Sequence, residues 1–132
     1  MHVYASSAIT IRRARIGDVR TIKTLVDSYA GKVLLAKELV TLYEDVQEFW
    51  VAELHETDGR ARLVGCGALH VLWEDLAEIR TVAVDPAARG NGVGHRLVSQ
   101  LIDLGRTLGV ARLFVLTFET SFFEKHGFTP LH

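Results

Sequence analysis

A single mixed α/β domain is what this 132-residue sequence predicts. Three observations carry that prediction. Apolar residues alternate with period two in several short stretches. Between these, other stretches repeat their apolar residues every three or four positions, as helices do. No linker, internal repeat or low-complexity run divides the chain, so strands and helices share one core. The hydrophobic fraction of 48% and charged fraction of 23% are ordinary for a globular protein.

The elements follow in order. "AITIRRA" (8–14) alternates as a short strand. Gly17-Asp18 opens a helical pattern in which Val19, Ile22, Leu25, Val26 and Tyr29 form one face, with Gly31 closing it. "VLLAKELVTLYEDV" (33–46) reads as a shorter helical region on Leu35, Leu39 and Leu42. "EFWVAEL" (48–54) is strand-like, and "TDGR" (57–60) is a turn. "ARLVGCGALHVLW" (61–73) is a long strand whose Gly65 and Gly67 suggest a bend or a close backbone approach. "LAEIRTVAV" (76–84) follows a short acidic turn, so the two form a hairpin. In 93–108, Val93, Leu97, Leu101, Leu104 and Leu108 make one stripe with Val98 and Ile102 beside it. "ARLFVLTF" (111–118) has the composition of a strand buried on both faces, and "ETSFFEKHGF" (119–128) is a short helix stopped at Gly127.

Charge and cysteine content narrow the function classes. Fifteen basic and sixteen acidic residues leave a formal charge of −1, which provides no electrostatic footprint for nucleic acid or an anionic membrane. Cys66 is the only cysteine, so no internal disulfide forms and a reducing compartment is expected. The N-terminus has no secretory pattern, and no apolar run approaches the roughly 20 residues of a membrane span. A cytoplasmic domain over 1–132 is the expectation.

The densest glycine stretch is "RGNGVG" (89–94), between the apolar strand "IRTVAV" and the helix at 93. Glycines at such a junction let backbone N–H groups approach an anion. The nucleoside-triphosphate loop needs a Lys after its last Gly, but His95 and Arg96 follow here. The dinucleotide fingerprint needs its glycines directly after the strand, but "DPAAR" intervenes and His95 stands where the last Gly belongs. What remains is R-x-x-G-x-G, filled by Arg89, Gly92 and Gly94. The N–H groups of Asn91 to His95 would converge on one anion, backed by the helix dipole and by the Arg89 charge. The alternative is a turn that caps the helix and binds nothing.

"IRTVAVDPAARGNGVGHRLV" resembles the acetyl-CoA-binding segment of the GCN5-related N-acetyltransferases, and "FFEKHGF" resembles their usual helix before the last hairpin. The resemblance runs from about residue 8 to 128. "VLLAKELVTLYEDVQEFWV", "VGCGALHV", "AEIRTVAV" and "RLFVLTFETSFFEKHGF" are similar to the acetyltransferase domain of the N-acetylglutamate synthases, including short, stand-alone versions. The resemblance implies a twisted, splayed mixed sheet flanked by helices, with acetyl-CoA as cosubstrate and no metal. The pantetheine arm would pair with the backbone of Thr81, Val82, Ala83 and Val84. The pyrophosphate would lie on Arg89, Gly90, Asn91, Gly92, Val93, Gly94 and His95. Two further C-terminal strands are also implied, for which the sequence after "GFTP" leaves little room.

Acetyl transfer to an amine needs a base for the ammonium, a stabilised oxyanion and a proton for the leaving thiolate. By alternation Leu76, Glu78, Arg80, Val82 and Val84 share one face, which aims Glu78 at the cleft. The resemblance makes Glu78 the base, through a water in one version; the alternative is a strand charge paired with a cation such as Arg80. Many relatives place a Tyr in the last helix as acid, but Phe123 stands there, and the resemblance points instead to Thr117. Its alternative is a strand Thr bonded to a backbone carbonyl. The oxyanion would meet a backbone N–H in 80–84. For the acceptor, the resemblance supplies Lys37 and the backbone of Leu35, and geometry adds Arg80; a solvated helix charge is the alternative for Lys37. Cys66 reads as a packed residue, His70 as a hydrogen-bonded strand histidine, and Trp50 and Trp73 as packing. No Cys/His/Asp spacing suggests a metal.

The function implied is direct acetyl transfer to the α-amine of glutamate or glutamine, the first step of arginine biosynthesis. The partner is then a small-molecule amino acid, with a homodimer compatible and no nucleic acid or membrane involved. Acetylation of another small amine or peptide amine, or an acyl-CoA-binding regulatory module, is the alternative.

Overall fold

In a computed structural model of the chain, residues 8–30, 36–117 and 119–131 are described. Strands β1 (Ile9–Arg13), β2 (Phe49–His55), β3 (Ala61–Trp73), β4 (Leu76–Val84) and β5 (Arg112–Val115) make one five-stranded sheet in the order β1-β2-β3-β4-β5. The first four run antiparallel. β5 lies parallel to β4, because helix α3 (Val93–Leu108) carries the chain back across the sheet first. Helices α1 (Val19–Ala30) and α2 (Ala36–Glu44) stand between β1 and β2, and the short α4 (Thr120–Glu124) follows β5.

Two helices cover the two faces of the sheet. On one face Ile22 and Leu25 of α1 close on Phe49, Val51, Cys66, Ala68 and Ala83. On the other, the α3 stripe of Val93, Leu97, Val98 and Leu101 is fully covered, as its spacing predicts. Each such leucine contributes roughly 1.5–3 kcal/mol by leaving water. Leu108, placed in the same stripe by spacing, is the last residue of α3 and is instead exposed. Gly109 (φ +87°) then closes α3: its N–H reaches Arg106 O and the Val110 N–H reaches Gly105 O. Gly127 (φ +90°) ends the turn after α4 in the same way, with Phe128 N–H donating to Phe123 O.

Gly65 and Gly67 allow α3 to lie close on β3. A Cβ on Gly65 would stand 2.9 Å from both Leu97 Cδ1 and Val93 Cγ1, and one on Gly67 3.1 Å from Leu101 Cδ1. Close approach is therefore the reason for both glycines. Gly65→Ala is expected to cost about 1–3 kcal/mol by overpacking, read by urea denaturation; an unchanged midpoint would contradict that packing.

β4 does not alternate along its whole length. Cys66 pairs with Ala83 and Ala68 with Arg80, so Gly67 faces both Thr81 and Val82. Thr81 sits at φ +59°, a left-handed conformation that costs a β-branched residue about 1–2 kcal/mol. The Cys66 thiol donates to Thr81 O at 3.4 Å and supports this bulge. The expectation that Glu78, Arg80, Val82 and Val84 share one face is therefore corrected. Ala77 and Ile79 face α3 before the bulge, whereas Val82 and Val84 do so after it. Glu78 and Arg80 lie on the opposite, α1 face with Ala83.

β5 is shorter than its apolar run and is not buried on both faces: Arg112 is exposed and Leu113, Phe114 and Val115 are half-buried. Among the described residues it pairs only with β4, and Leu116 beyond it is exposed. Near β1 the structure adds an ion cluster that pattern reading does not reveal. Asp18 accepts from Arg12 at 2.8 and 3.1 Å and from the Arg15 N–H at 2.7 Å, and Arg12 also reaches Glu53 at 3.2 Å. Burial pushes the Asp18 carboxyl up, but these bonds outweigh it and hold its pKa below the usual range.

Candidate active site

β4 and β5 are paired only as far as Ile79 and Val115. Beyond that point β4 bulges at Thr81 and the strands part, so the outer edge of β4 loses its neighbour. Unpaired N–H and C=O groups along such an edge are ready to pair with an extended ligand. The gap is a cleft of about 820 Å³.

The cleft joins Arg80, Thr117 and most of the cofactor-binding residues that the sequence singles out. Thr81, Val82, Ala83 and Val84 line one wall, and Thr117 with Val115 and Leu116 lines the facing one. Arg89, Gly90, Gly92, Val93, Gly94 and His95 close the end. Val26 and Arg80 enter from the α1 side while Phe122 and Phe123 enter from the α3 side, so the cleft passes through the sheet.

The loop at its end has the local geometry of an anion seat. Gly90 (φ +85°) and Gly92 (φ +71°) take left-handed turns that only glycine adopts without strain. Gly92 is the N-cap of α3 without a side-chain cap, and the first helical bond runs from Arg96 N–H to Gly92 O at 3.0 Å. The N–H groups of Val93, Gly94 and His95 precede that bond and have no partner within the helix. Asn91 lies off the cleft wall; its amide donates to Ala88 O at 2.9 Å and so ties the turn together. Gly94 has a second role. A Cβ there would stand 3.1 Å from the Phe122 ring, so its absence admits α4 against the loop.

Phe122 and His126 are site neighbours that the sequence reading missed. The Phe122 ring stacks on His95 at 4.4 Å, and His95 Nδ1 lies 2.8 Å from His126 Nε2. The two are four residues apart in "FFEKHGF", which is the only sequence signal for them. Burial, and then the neighbouring His95, hold the His126 pKa below its usual value. The folded state therefore favours the neutral ring, a contribution present above the unfolded pKa of about 6.5 and lost as pH falls through the lower folded value. The Tm advantage of the wild type over His126→Gln should thus be larger at about pH 7.5 than at about pH 5.5. A difference that grows on acidification would contradict it.

Thr117 lies two residues past the end of β5, and its Oγ accepts from the Glu119 N–H at 2.8 Å. The expected alternative, a hydroxyl donating to a backbone carbonyl, is not what is seen; the bond occupies a lone pair and leaves the O–H able to donate. Glu78 is not on the cleft wall. It lies beside Arg80, 14% exposed, with Oε1 at 3.8 Å from Arg80 Nη1. Leu35 and the side chain of Lys37 lie outside the described residues. Cys66 is wholly buried, and that burial pushes its thiol up to about 12, so it offers no nucleophile. Among the described residues no group of three His, Cys, Asp or Glu could hold a metal, and no helix is long and apolar enough to cross a membrane.

Residues 21–128 match the Acetyltransferase (GNAT) family. The chain belongs to the GNAT acetyltransferases. This GNAT chain is 64% identical over 121 residues to an amino-acid acetyltransferase of Mycobacterium tuberculosis, covering 92% of this chain and 68% of that one. Among solved structures, Rv2747 of Mycobacterium tuberculosis, in complex with CoA and NLQ, superposes with a TM-score of 0.84 at 63% identity over 93% of this chain and 73% of that chain. N-acetylglutamate synthase from Neisseria gonorrhoeae superposes with a TM-score of 0.77 at 32% identity when complexed with coenzyme A and L-arginine. Complexed with coenzyme A and N-acetyl-glutamate it gives 0.72 at 30% identity. The GNAT chain spans 28% of that synthase chain. The cleft, the bulge and the glycine loop therefore belong to a GNAT N-acetyltransferase that uses acetyl-CoA.

Proposed function

We propose that the chain, acting as one domain over 1–132, transfers acetyl from acetyl-CoA to the α-amine of glutamate or glutamine. Such a product feeds arginine biosynthesis. The observation that carries the acceptor class is the 64% identity to an amino-acid acetyltransferase. Arg80, a cation on the cleft wall outside the phosphate loop, supports it from this chain's own residues.

In this reading the N–H groups of Val93 to His95, with Arg89, hold the pyrophosphate, and the open edge of Thr81 to Val84 pairs with the pantetheine arm. The thioester then lies where the two strands part. The opening through the sheet brings the acceptor from the α1 face to a thioester held from the α3 side. Glu78, set back behind the wall, takes the ammonium proton through one water. The freed amine attacks the carbonyl carbon, a backbone N–H of 80–84 steadies the oxyanion, and the C–S bond breaks. Thr117, one lone pair held by the Glu119 N–H, relays the second proton of the attacking nitrogen: its other lone pair accepts that proton as its own O–H proton passes to the departing sulfur. That help is modest, since a free thiol has a pKa of only about 8.5. Leu35 and Lys37 complete the acceptor site.

Incubation with acetyl-CoA and each amino acid, followed by thiol release and mass analysis of the product, tests this. N-acetylated glutamate or glutamine is expected. Acetyl-CoA binding without turnover of either would overturn the proposal and favour a regulatory module.

A further inference from the structure

One charged cluster adjoins the cleft, and two of its members, Glu48 and His70, take no part in the steps above. Glu48 ends the helical turn Val46–Glu48 just before β2. Both its oxygens accept from His70 Nδ1, at 2.9 and 3.0 Å, and its Oε1 lies 3.5 Å from Arg80 Nη2. His70 stands opposite Glu78 in the β3–β4 register, so three elements bring Glu48, His70, Glu78 and Arg80 onto one face.

Arg12, Arg60, Arg62 and Arg80 each have two carboxylate neighbours, and the two least exposed of them, Arg12 and Arg80, differ in a telling way. Arg12 is held at 2.8, 3.1 and 3.2 Å by Asp18 and Glu53, three short bonds that fix it in place. Arg80 has only a long bond at 3.5 Å to Glu48 and an ion pair at 3.8 Å to Glu78. A guanidinium carries five donors, so Arg80 is tethered from both sides with donors left over for a planar carboxylate. It also reaches the cleft wall, which neither glutamate does.

We infer that Glu48 is a positioning residue that, anchored by His70, holds the Arg80 guanidinium to receive the α-carboxylate of the amino-acid acceptor. The inference rests on the proposed acceptor class. His70 fixes the Glu48 carboxylate, Glu48 fixes one end of Arg80, and the second carboxylate keeps the guanidinium from swinging out to solvent. Acceptors with and without an α-carboxylate are thereby told apart, because only the former gains the charge-assisted pair.

The test compares glutamine with 4-aminobutanamide, the same amine lacking the α-carboxylate, in the wild type, Glu48→Gln and His70→Gln, with acetyl-CoA affinity and Tm measured in parallel. In Glu48→Gln the KM for glutamine should rise roughly tenfold and the preference for glutamine over 4-aminobutanamide should fall by about the same factor. Acetyl-CoA affinity should hold. His70→Gln should move the preference the same way by a smaller factor, and it decides the matter if Glu48→Gln fails to fold. Equal losses on both acceptors, or no change in preference, would overturn the inference while leaving the acceptor class standing. A wild type that turns over no amino acid would overturn both.

Discussion

Glu78→Gln is expected to lower kcat roughly 100-fold near neutral pH, with the KM for acetyl-CoA unchanged. The substitution keeps the side chain's shape beside Arg80 but removes the only carboxylate on β4, the group proposed to take the acceptor's proton through a water. The loss should shrink as pH rises, because the acceptor ammonium then gives up its proton unaided. The pH profile separates this from a structural role, since a packing defect would lower kcat equally at every pH. Glu78 is half-buried and 3.8 Å from its cation, so Tm should move little. A variant with wild-type kcat at neutral pH, or with a pH-independent loss, would remove Glu78 from the mechanism.

The second large effect lies in the loop. Gly92 is the left-handed N-cap of α3, at φ +71°. Gly92→Val forces a β-branched residue into a conformation that costs it about 1–2 kcal/mol, and the turn relaxes by moving the N–H groups that follow. Acetyl-CoA affinity should fall roughly tenfold or more by calorimetry, a figure in line with losing one or two oriented phosphate bonds. S-acetylpantetheine, which has the arm without the pyrophosphate, should bind both proteins alike. An equal loss for both ligands would mean that the change damages the strand edge instead, and no loss for either would mean the loop holds no phosphate.

Much of this was legible in the sequence. The apolar run at 76–84 and the 3.6-residue repeat at 93–108 locate β4 and α3, because helices pack on both faces of the strand and the helix buries one stripe. The glycine spacing in 89–94 marks the tight loop at the end of the cleft because positive φ at Gly90 and Gly92 leaves a chemical trace, the missing side chain. The bulge at Thr81 left no such trace. It is made by register against β3 and held by the Cys66 thiol, and a threonine at positive φ reads as ordinary strand composition. That one extra residue moves Val82 and Val84 to the α3 face and leaves Glu78 and Arg80 on the other. The contacts of Glu48 with His70 and Arg80, 22 and 32 residues away, are likewise set by the sheet and not by any local spacing. β5 misled for a related reason: its apolar composition signals burial, but burial depends on what lies beside the strand.

In the proposed reading the gap between β4 and β5 transfers acetyl to an amino acid. The most direct test is kcat/KM with acetyl-CoA across glutamate, glutamine, other amino acids, spermidine and a peptide N-terminus. Glutamate or glutamine should exceed spermidine and the peptide by a factor of about 100 or more, the discrimination a paired carboxylate can supply. Equal values across the panel, or a polyamine or peptide at its head, would contradict the account.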